Sequence, residues 1–563
     1  MMIPLIRKHL PVILLLLLFS YPAVSHLTGS AVFPVHDKTQ QARVFEMAEQ
    51  LKSGQFPVRM VGNLGYGYGY PLFNFYAPLP YYTGALFYLS GFDLFTATNL
   101  MYLAGALLAP LLMYFLAASL SGRVAGIAAA ILYLYAPYHA VNIYVRGAVG
   151  EYYAYAFLPL FFLGIYWCMA EQAAKKRRGF LLGSVGLAGI FLSHNISGLI
   201  ISAVSLLLLP IMYFSKHDLK KYLMMVVLGV GLSAFFIFPA FAEQAYTSVD
   251  KLKTEGSNFE QHFVTPGQLW DSAWGFAGSG PGLADGMSFK IGKWHILLTL
   301  ASIILLTGVY ISKKMKNSLK FFYLISLVFL IICVLMTLEM SASVYRMIPG
   351  FTFIQYPWRF LNFILLFSVI LVTGLFRFTS KHYSLFLSAV IISASLIFYP
   401  KYFLPQTLYY PEADEFLNTE NLRFNSSLIS DEYLPEDFPR PSSAEEVYRT
   451  PFSGLVGQQA VSVKDTAEHK IYMVEGAGGR LVTSLPFFPG WNVSVDSNKV
   501  PAAKIEGKLS FEVPSGKKLI EFRLKDTPVR KVSNSVSFLS LCLLLYLSSG
   551  YSTKLWLKKP ISK

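Results

Sequence analysis

Apolar runs long enough to cross a bilayer recur through this chain, and knots of lysine and arginine stand beside them: RK at 7–8, KKRR at 175–178, KHDLKK at 216–221, KKMK at 313–316 and KLWLKK at 554–559. A soluble helix keeps a polar face, so unbroken apolar stretches in this number point to a bilayer. Crossing about 30 Å of hydrocarbon takes roughly twenty apolar residues in a helix. The formal charge of +15 therefore reads as the positive-inside pattern and gives no support for a nucleic-acid partner. Charged residues make up only 14% of the chain, against about 25% in an average soluble domain.

With the basic clusters placed in the cytoplasm, spans are expected near 10–27, 98–119, 123–141, 152–170, 179–194, 196–214, 220–240, 294–312, 319–338, 357–377, 382–400 and 534–552. An uncleaved anchor is the preferred reading of the first; a signal peptide is the alternative, because Ala23 and Ser25 form a small-residue site. About twelve transmembrane helices return the C-terminus to the cytoplasm, beside the N-terminus, and leave 28–97, 142–151, 241–293, 339–356 and 401–533 outside. The run Tyr76 to Ser90, short and opened by Pro78 and Pro80, is expected to lie on the membrane surface.

After Pro400 the composition changes to that of a soluble domain. KIYMV at 470, RLVTSL at 480, WNVSVD at 491, KLSFEV at 508 and KKLIEFRL at 517 alternate as strands do, with turn signals at 496–498 and 514–516. The fold class is thus an α-helical polytopic membrane protein with a C-terminal extracytoplasmic β-sandwich or jelly roll. Its expected divisions are a transmembrane domain over 1–400, a β-rich domain over 401–533, and a final helix with a basic tail over 534–563. Cys168, Cys333 and Cys542 are far apart in apolar stretches and suggest neither a metal site nor a disulfide framework.

Residues able to do chemistry gather on the expected outer face, most densely in the first long loop. Asp37, beside His36, can serve as a general base toward a hydroxyl. It also stands at capping-box spacing from Gln40, ahead of a helical pattern in which Val44, Phe45, Ala48 and Leu51 share a face. Tyr66, Tyr68 and Tyr70 alternate with glycines and offer flat faces for a sugar or prenyl group, or belong to an interfacial aromatic belt. The second outer loop adds Arg146 and Glu151. Glu151 can share a divalent cation with Asp37, assist an acceptor, or simply pair with Arg146. His194 lies at another outer turn. Arg359, in QYPWRF, can hold a lipid phosphate in a fork or snorkel to ordinary lipid. The spans carry almost no ionisable residue near their midplanes, which argues against an ion-coupled transporter.

One span, an outer loop with an early Asp, a Pro- and Tyr-rich surface helix and many further spans resemble the GT-C superfamily of glycosyltransferases that use lipid-phosphate sugars. More closely, HDKTQQARVFEMAEQLKSGQFPVRMVGNLGYGYGYPLFNFYAPLPYY, RGAVGEYYAYAFLPL, SHNISGL and QYPWRF resemble the bacterial membrane family labelled 6-pyruvoyl-tetrahydropterin synthase-related. LPFFPGWNVSVDSNKVP and VPSGKKLIEFRL are similar to the outer β-domain that closes many such proteins. The resemblance implies transfer of a sugar from a polyprenyl-phosphate carrier to an extracytoplasmic glycan, lipid or protein acceptor at a bacterial cytoplasmic membrane. Asp37 is then the catalytic acid-base residue, with Glu151 assisting. Arg359, with Arg146 or Arg59, would face the departing phosphate. This chain has His-Asp where many members show paired acids, a departure that weakens a metal-dependent version. A pterin enzyme would show the clustered histidines of a zinc site, whereas the ten here are scattered. A non-catalytic cell-envelope assembly protein and a lipid or polysaccharide transporter remain as alternatives.

Overall fold

The computed structural model describes residues 2–549 apart from 216–217, 251–257, 284, 312–314, 413–415, 419, 448–451 and 453–458. The tail KLWLKK and parts of the clusters at 216–221 and 313–316 lie outside the described residues.

Each expected span falls on a helix: Met2–Val24, Leu94–Ser121, Arg123–Leu134, Val149–Cys168, Ala173–Ser193, Asn195–Phe214, Leu219–Leu232, Lys293–Ile311, Asn317–Thr337, Leu361–Val372, Lys381–Phe398 and Pro528–Ser548. Fewer of them cross a membrane on length and composition alone. Among the described residues seven qualify, or up to nine when two bent pairs are counted as single spans. The bends have local causes. After Arg123–Leu134 the chain turns by 51° into 137–145, where Pro137 lacks an N–H and forces Ala136 into an extended conformation, ψ 129°. After Leu219–Leu232 it turns by 72° at Ser233, whose hydroxyl bonds back to the carbonyls of Gly229 and Val230. The 149–168 passage is diluted by tyrosine, and that at 173–193 opens on KKRR.

The 357–376 passage is central, 89% of it buried, whereas the last helix is 6% buried and runs along the outside. A buried ion pair fastens that last helix. Arg530 Nε and Nη2 donate to Glu243 Oε2 at 3.0 and 2.9 Å. The stretch 76–90 contains a helix of eleven residues, Leu79–Leu89, too short to cross. Its buried face of Pro80, Tyr81, Gly84 and Ala85 packs beneath the Gln40–Lys52 helix, and a Cβ on Gly84 would come within 2.7 Å of Val44.

Among the described residues eight strands form two sheets in the C-terminal domain: β1 Gln459–Asp465, β2 His469–Gly476, β3 Gly479–Pro486, β4 Trp491–Val495, β5 Asn498–Val500, β6 Ala503–Ile505, β7 Lys508–Val513 and β8 Gly516–Leu524. The five segments with alternating sequence coincide with β2, β3, β4, β7 and β8. The sheet orders are β1-β2-β8-β4-β5 and β3-β7-β6, so the β7–β8 turn crosses from one sheet to the other. Tyr472, Val493, Leu509, Phe511, Ile520 and Phe522 fill the space between them. Among the described residues no strand of these sheets precedes Gln459. The chain from 403 to 447 instead returns to the first loop, where Val32 and Tyr409 exchange backbone hydrogen bonds of 2.8 and 2.9 Å.

Candidate functional site

Two loops far apart in sequence are joined by their backbones. His36 N–H donates to the Val145 carbonyl at 3.1 Å and Asp37 N–H to that of Arg146 at 3.0 Å. Gln40 Nε2 extends the seam, donating to the Gly147 carbonyl at 2.8 Å and to Asp37 Oδ2 at 2.7 Å. Gly147 is required there. Its φ is +61°, and a Cβ would lie 2.6 Å from Val35 and 2.8 Å from the Tyr102 hydroxyl.

Asp37 is not the helix cap that its spacing allows. Thr39 occupies the N-cap position of Gln40–Lys52, with no side-chain capping bond. The Asp37 carboxylate collects side-chain donors: Thr39 Oγ1 at 2.9 Å, Gln40 Nε2, and Arg43 Nη1 at 3.4 Å. Its side chain keeps 27% exposure, so it retains a face toward solvent. Arg43 is buried, lies 4.1 Å over the Tyr76 ring, and also donates to the Tyr81 hydroxyl at 3.3 Å and to Ser430 Oγ at 3.2 Å.

On the other side of the seam Glu151 is 1% exposed. Its Oε1 accepts from the Tyr138 hydroxyl at 3.1 Å and Asn362 Nδ2 at 2.9 Å. Its Oε2 meets Arg146 Nη1 at 2.8 Å and Arg359 Nε at 3.6 Å. Both carboxylate oxygens are thus engaged, and a cation shared with Asp37 is not what this geometry provides. Among the described residues no group of three or more His, Cys, Asp or Glu could hold a metal. Arg359 does not reach away toward lipid: it also donates to the Ile354 carbonyl at 2.6 Å and to Gln355 Oε1 at 3.1 Å. Arg146 lies 4.4 Å over Trp358, and Arg359 4.9 Å over Tyr356. Two guanidiniums around one carboxylate leave an excess of positive charge in a desolvated place.

The remaining sequence candidates divide. His36 joins the site edge, its Nε2 pairing with the Phe276 carbonyl at 3.0 Å. His194 lies beside Glu151 but serves as an N-cap, its Nδ1 accepting from Ser197 N–H at 3.2 Å. Arg59 is engaged elsewhere, donating to Asn74 at 3.0 Å, to the Phe235 carbonyl at 2.9 Å and to Asn534 at 2.9 Å. It braces the first loop against the last helix and is no part of the cation pair.

Tyr66, Tyr68 and Tyr70 are buried and pack against the returning segment. The Tyr66 hydroxyl donates to Asp431 at 3.1 Å, the Tyr70 hydroxyl accepts from Tyr433 N–H at 3.3 Å, and the Tyr68 ring lies 6.1 Å from that of Phe438. They hold the strap and do not line an open face. Sequence reasoning missed Arg43, although a guanidinium six residues past Asp37, on the following helix, was a usable signal. It also missed Ser430, which no local pattern announces.

The model of a family described as 6-pyruvoyl-tetrahydropterin synthase related domain, membrane protein, matches residues 73–402. That stretch contains Arg146, Glu151, His194 and Arg359 but begins after Asp37. An uncharacterised protein of Lactococcus lactis subsp. cremoris (strain MG1363) is 28% identical over 215 residues, which is 35% of this chain and 34% of the relative. The chain is similar in structure to the Archaeoglobus fulgidus oligosaccharyltransferase in its apo form, with TM-score 0.46 and 12% identity over 79% of this chain and 61% of that one. Similarity to ArnT from Cupriavidus metallidurans bound to undecaprenyl phosphate has TM-score 0.38 and 13% identity over 67% and 63%. For the mycobacterial arabinofuranosyltransferase AftD the values are 0.42 and 14% over 72% and 28%. Likenesses of this size leave the chemistry to be argued from the residues.

Proposed function

We propose that this chain, which belongs to the 6-pyruvoyl-tetrahydropterin synthase related family of membrane proteins, transfers a sugar from a polyprenyl-phosphate carrier to an acceptor outside a bacterial cytoplasmic membrane. The observation that carries the reading is the backbone seam of His36–Asp37 with Val145–Arg146. It sets a partly exposed carboxylate next to a cluster with surplus positive charge, the two complements that such a transfer needs.

Asp37 takes the proton of the acceptor hydroxyl as its oxygen bonds to the anomeric carbon. The bond from that carbon to the phosphate oxygen breaks, and the phosphate leaves with the electron pair. A positioned base contributes about 10²- to 10⁴-fold to such a step. Arg359 and Arg146 meet the charge that develops on the leaving phosphate. Glu151 keeps the two guanidiniums side by side and oriented, which makes it a positioning residue. The termini lie in the cytoplasm, and the β-domain, with the strap at 403–447, covers the site from outside.

The test compares surface glycans of wild-type cells, a deletion strain and Asp37→Asn at matched protein level. Asp37→Asn is expected to reproduce the deletion; wild-type glycans in that strain would show that Asp37 is not the base. Glycans unaltered by the deletion itself would remove the transferase reading.

A further inference from the structure

The guanidinium of Arg43 meets one carboxylate directly and a second, from a distant part of the chain, through a serine hydroxyl. Nη1 faces Asp37 Oδ2 at the long distance of 3.4 Å. Nη2 donates to Ser430 Oγ at 3.2 Å, and that hydroxyl lies 3.2 and 3.0 Å from the two oxygens of Glu432. The turn carrying Glu432 is held in place by several groups. Ser248 N–H donates to the Leu434 carbonyl at 2.9 Å, and Ser248 Oγ to the Glu432 carbonyl at 3.1 Å. Tyr433 donates its N–H to Tyr70 and stacks on Phe75 with centroids 5.3 Å apart. Glu432 is therefore fixed beside the Asp37 site by the fold itself.

We propose that Glu432 is a positioning residue for Asp37, dividing Arg43 between two carboxylates and so setting how readily Asp37 accepts a proton. When Glu432 carries its charge, it draws Arg43 toward itself and leaves Asp37 the stronger base. When Glu432 is neutral, Arg43 serves Asp37 alone and makes it a weaker one. Burial pushes the Glu432 carboxyl up from its ordinary value while Arg43 pulls it down. The other ionisable groups facing the pair are Tyr76 and Tyr81 from the 76–89 stretch, Tyr102 from the 94–121 helix, Tyr70 from the first loop, and Asp431 and Tyr433 from the strap itself. The catalytic meaning rests on the transferase reading, whereas the coupling through Arg43 does not.

The experiment titrates Glu432 in the purified full-length chain, using a reagent that labels protonated carboxyls and mass spectrometry to read each site. In wild type the Glu432 midpoint is expected above the ordinary glutamate value. Asp37→Asn, which releases Arg43 to Glu432, should lower it by about one pH unit. Arg43→Gln, which removes the shared cation, should raise it, and serves as a second variant should the first not accumulate. A Glu432 midpoint unmoved in either folded variant overturns the proposal, as does a wild-type midpoint at the ordinary value. For the catalytic part, Glu432→Gln is expected to reduce glycan transfer several-fold and Glu432→Asp to restore it; transfer unchanged in Glu432→Gln overturns that part. If Asp37→Asn leaves glycans intact but shifts the Glu432 midpoint, the general-base role of Asp37 fails while the coupling stands.

Discussion

Asp37 and Glu151 lie on either side of one backbone seam, yet the fold treats them oppositely. Glu151 is buried, with both oxygens occupied, one by neutral donors and the other by two guanidiniums. Asp37 is partly exposed, held by a hydroxyl, an amide and a single distant guanidinium. A carboxylate so fully engaged cannot take up a proton without releasing its partners, so its work is to fix them. The loosely held one has a free face and can turn over. On the proposed reading, the difference separates the acid that builds the site from the acid that reacts in it.

The sharpest way to break this comparison is Glu151→Gln. Removing one member of a buried ionic cluster leaves its cations uncompensated and costs about 3–5 kcal/mol, seen as a large fall in the unfolding temperature of the purified protein. Gly67→Ala tests the strap on the Asp37 side. Gly67 has φ +77° and its Cβ would sit 2.7 Å from Arg423; the backbone alone costs about 1–2 kcal/mol, with release of the strap as the expected route, detectable as faster proteolysis within 403–447. Asp37→Asn should cost under about 1 kcal/mol while abolishing transfer. A loss of stability equal to that of Glu151→Gln would erase the distinction drawn here. The smallest effect concerns pH. Because the Glu432 value is raised in the folded protein, its contribution is complete below the ordinary glutamate value and is lost as pH rises through the raised one. Unfolding measured across that window should show stability declining with pH, and Glu432→Gln should flatten the decline.

The spans were legible because twenty apolar residues have few other uses, and the strands because alternation survives on a sheet with one buried face. The pairing of Arg146 with Glu151 was within reach of simple spacing. Asp37 was ambiguous since its distance from Gln40 fits both a capping box and a side-chain pair; the outcome turned on Thr39 taking the cap position, which spacing does not decide. Tyr66, Tyr68 and Tyr70 misled because an aromatic face looks the same in sequence whether it meets a ligand or another part of the chain. What covers them is the 420–440 stretch, whose glutamates, prolines and serines read as surface. Glu432 became visible only once the long-range return of that stretch was known.

The hydrogen bond from Arg43 to Ser430 joins residues 387 positions apart. During synthesis Arg43, just past Asp37, leaves the ribosome 387 residues before its partner Ser430. Closure of so long a loop is slow, and in the interval the Tyr66–Tyr70 stretch and Arg43 lack their covering. On the proposed reading the nascent protein therefore lacks its site until the 420–440 stretch has folded back onto the first loop, and a chain terminated before that stretch would not acquire it.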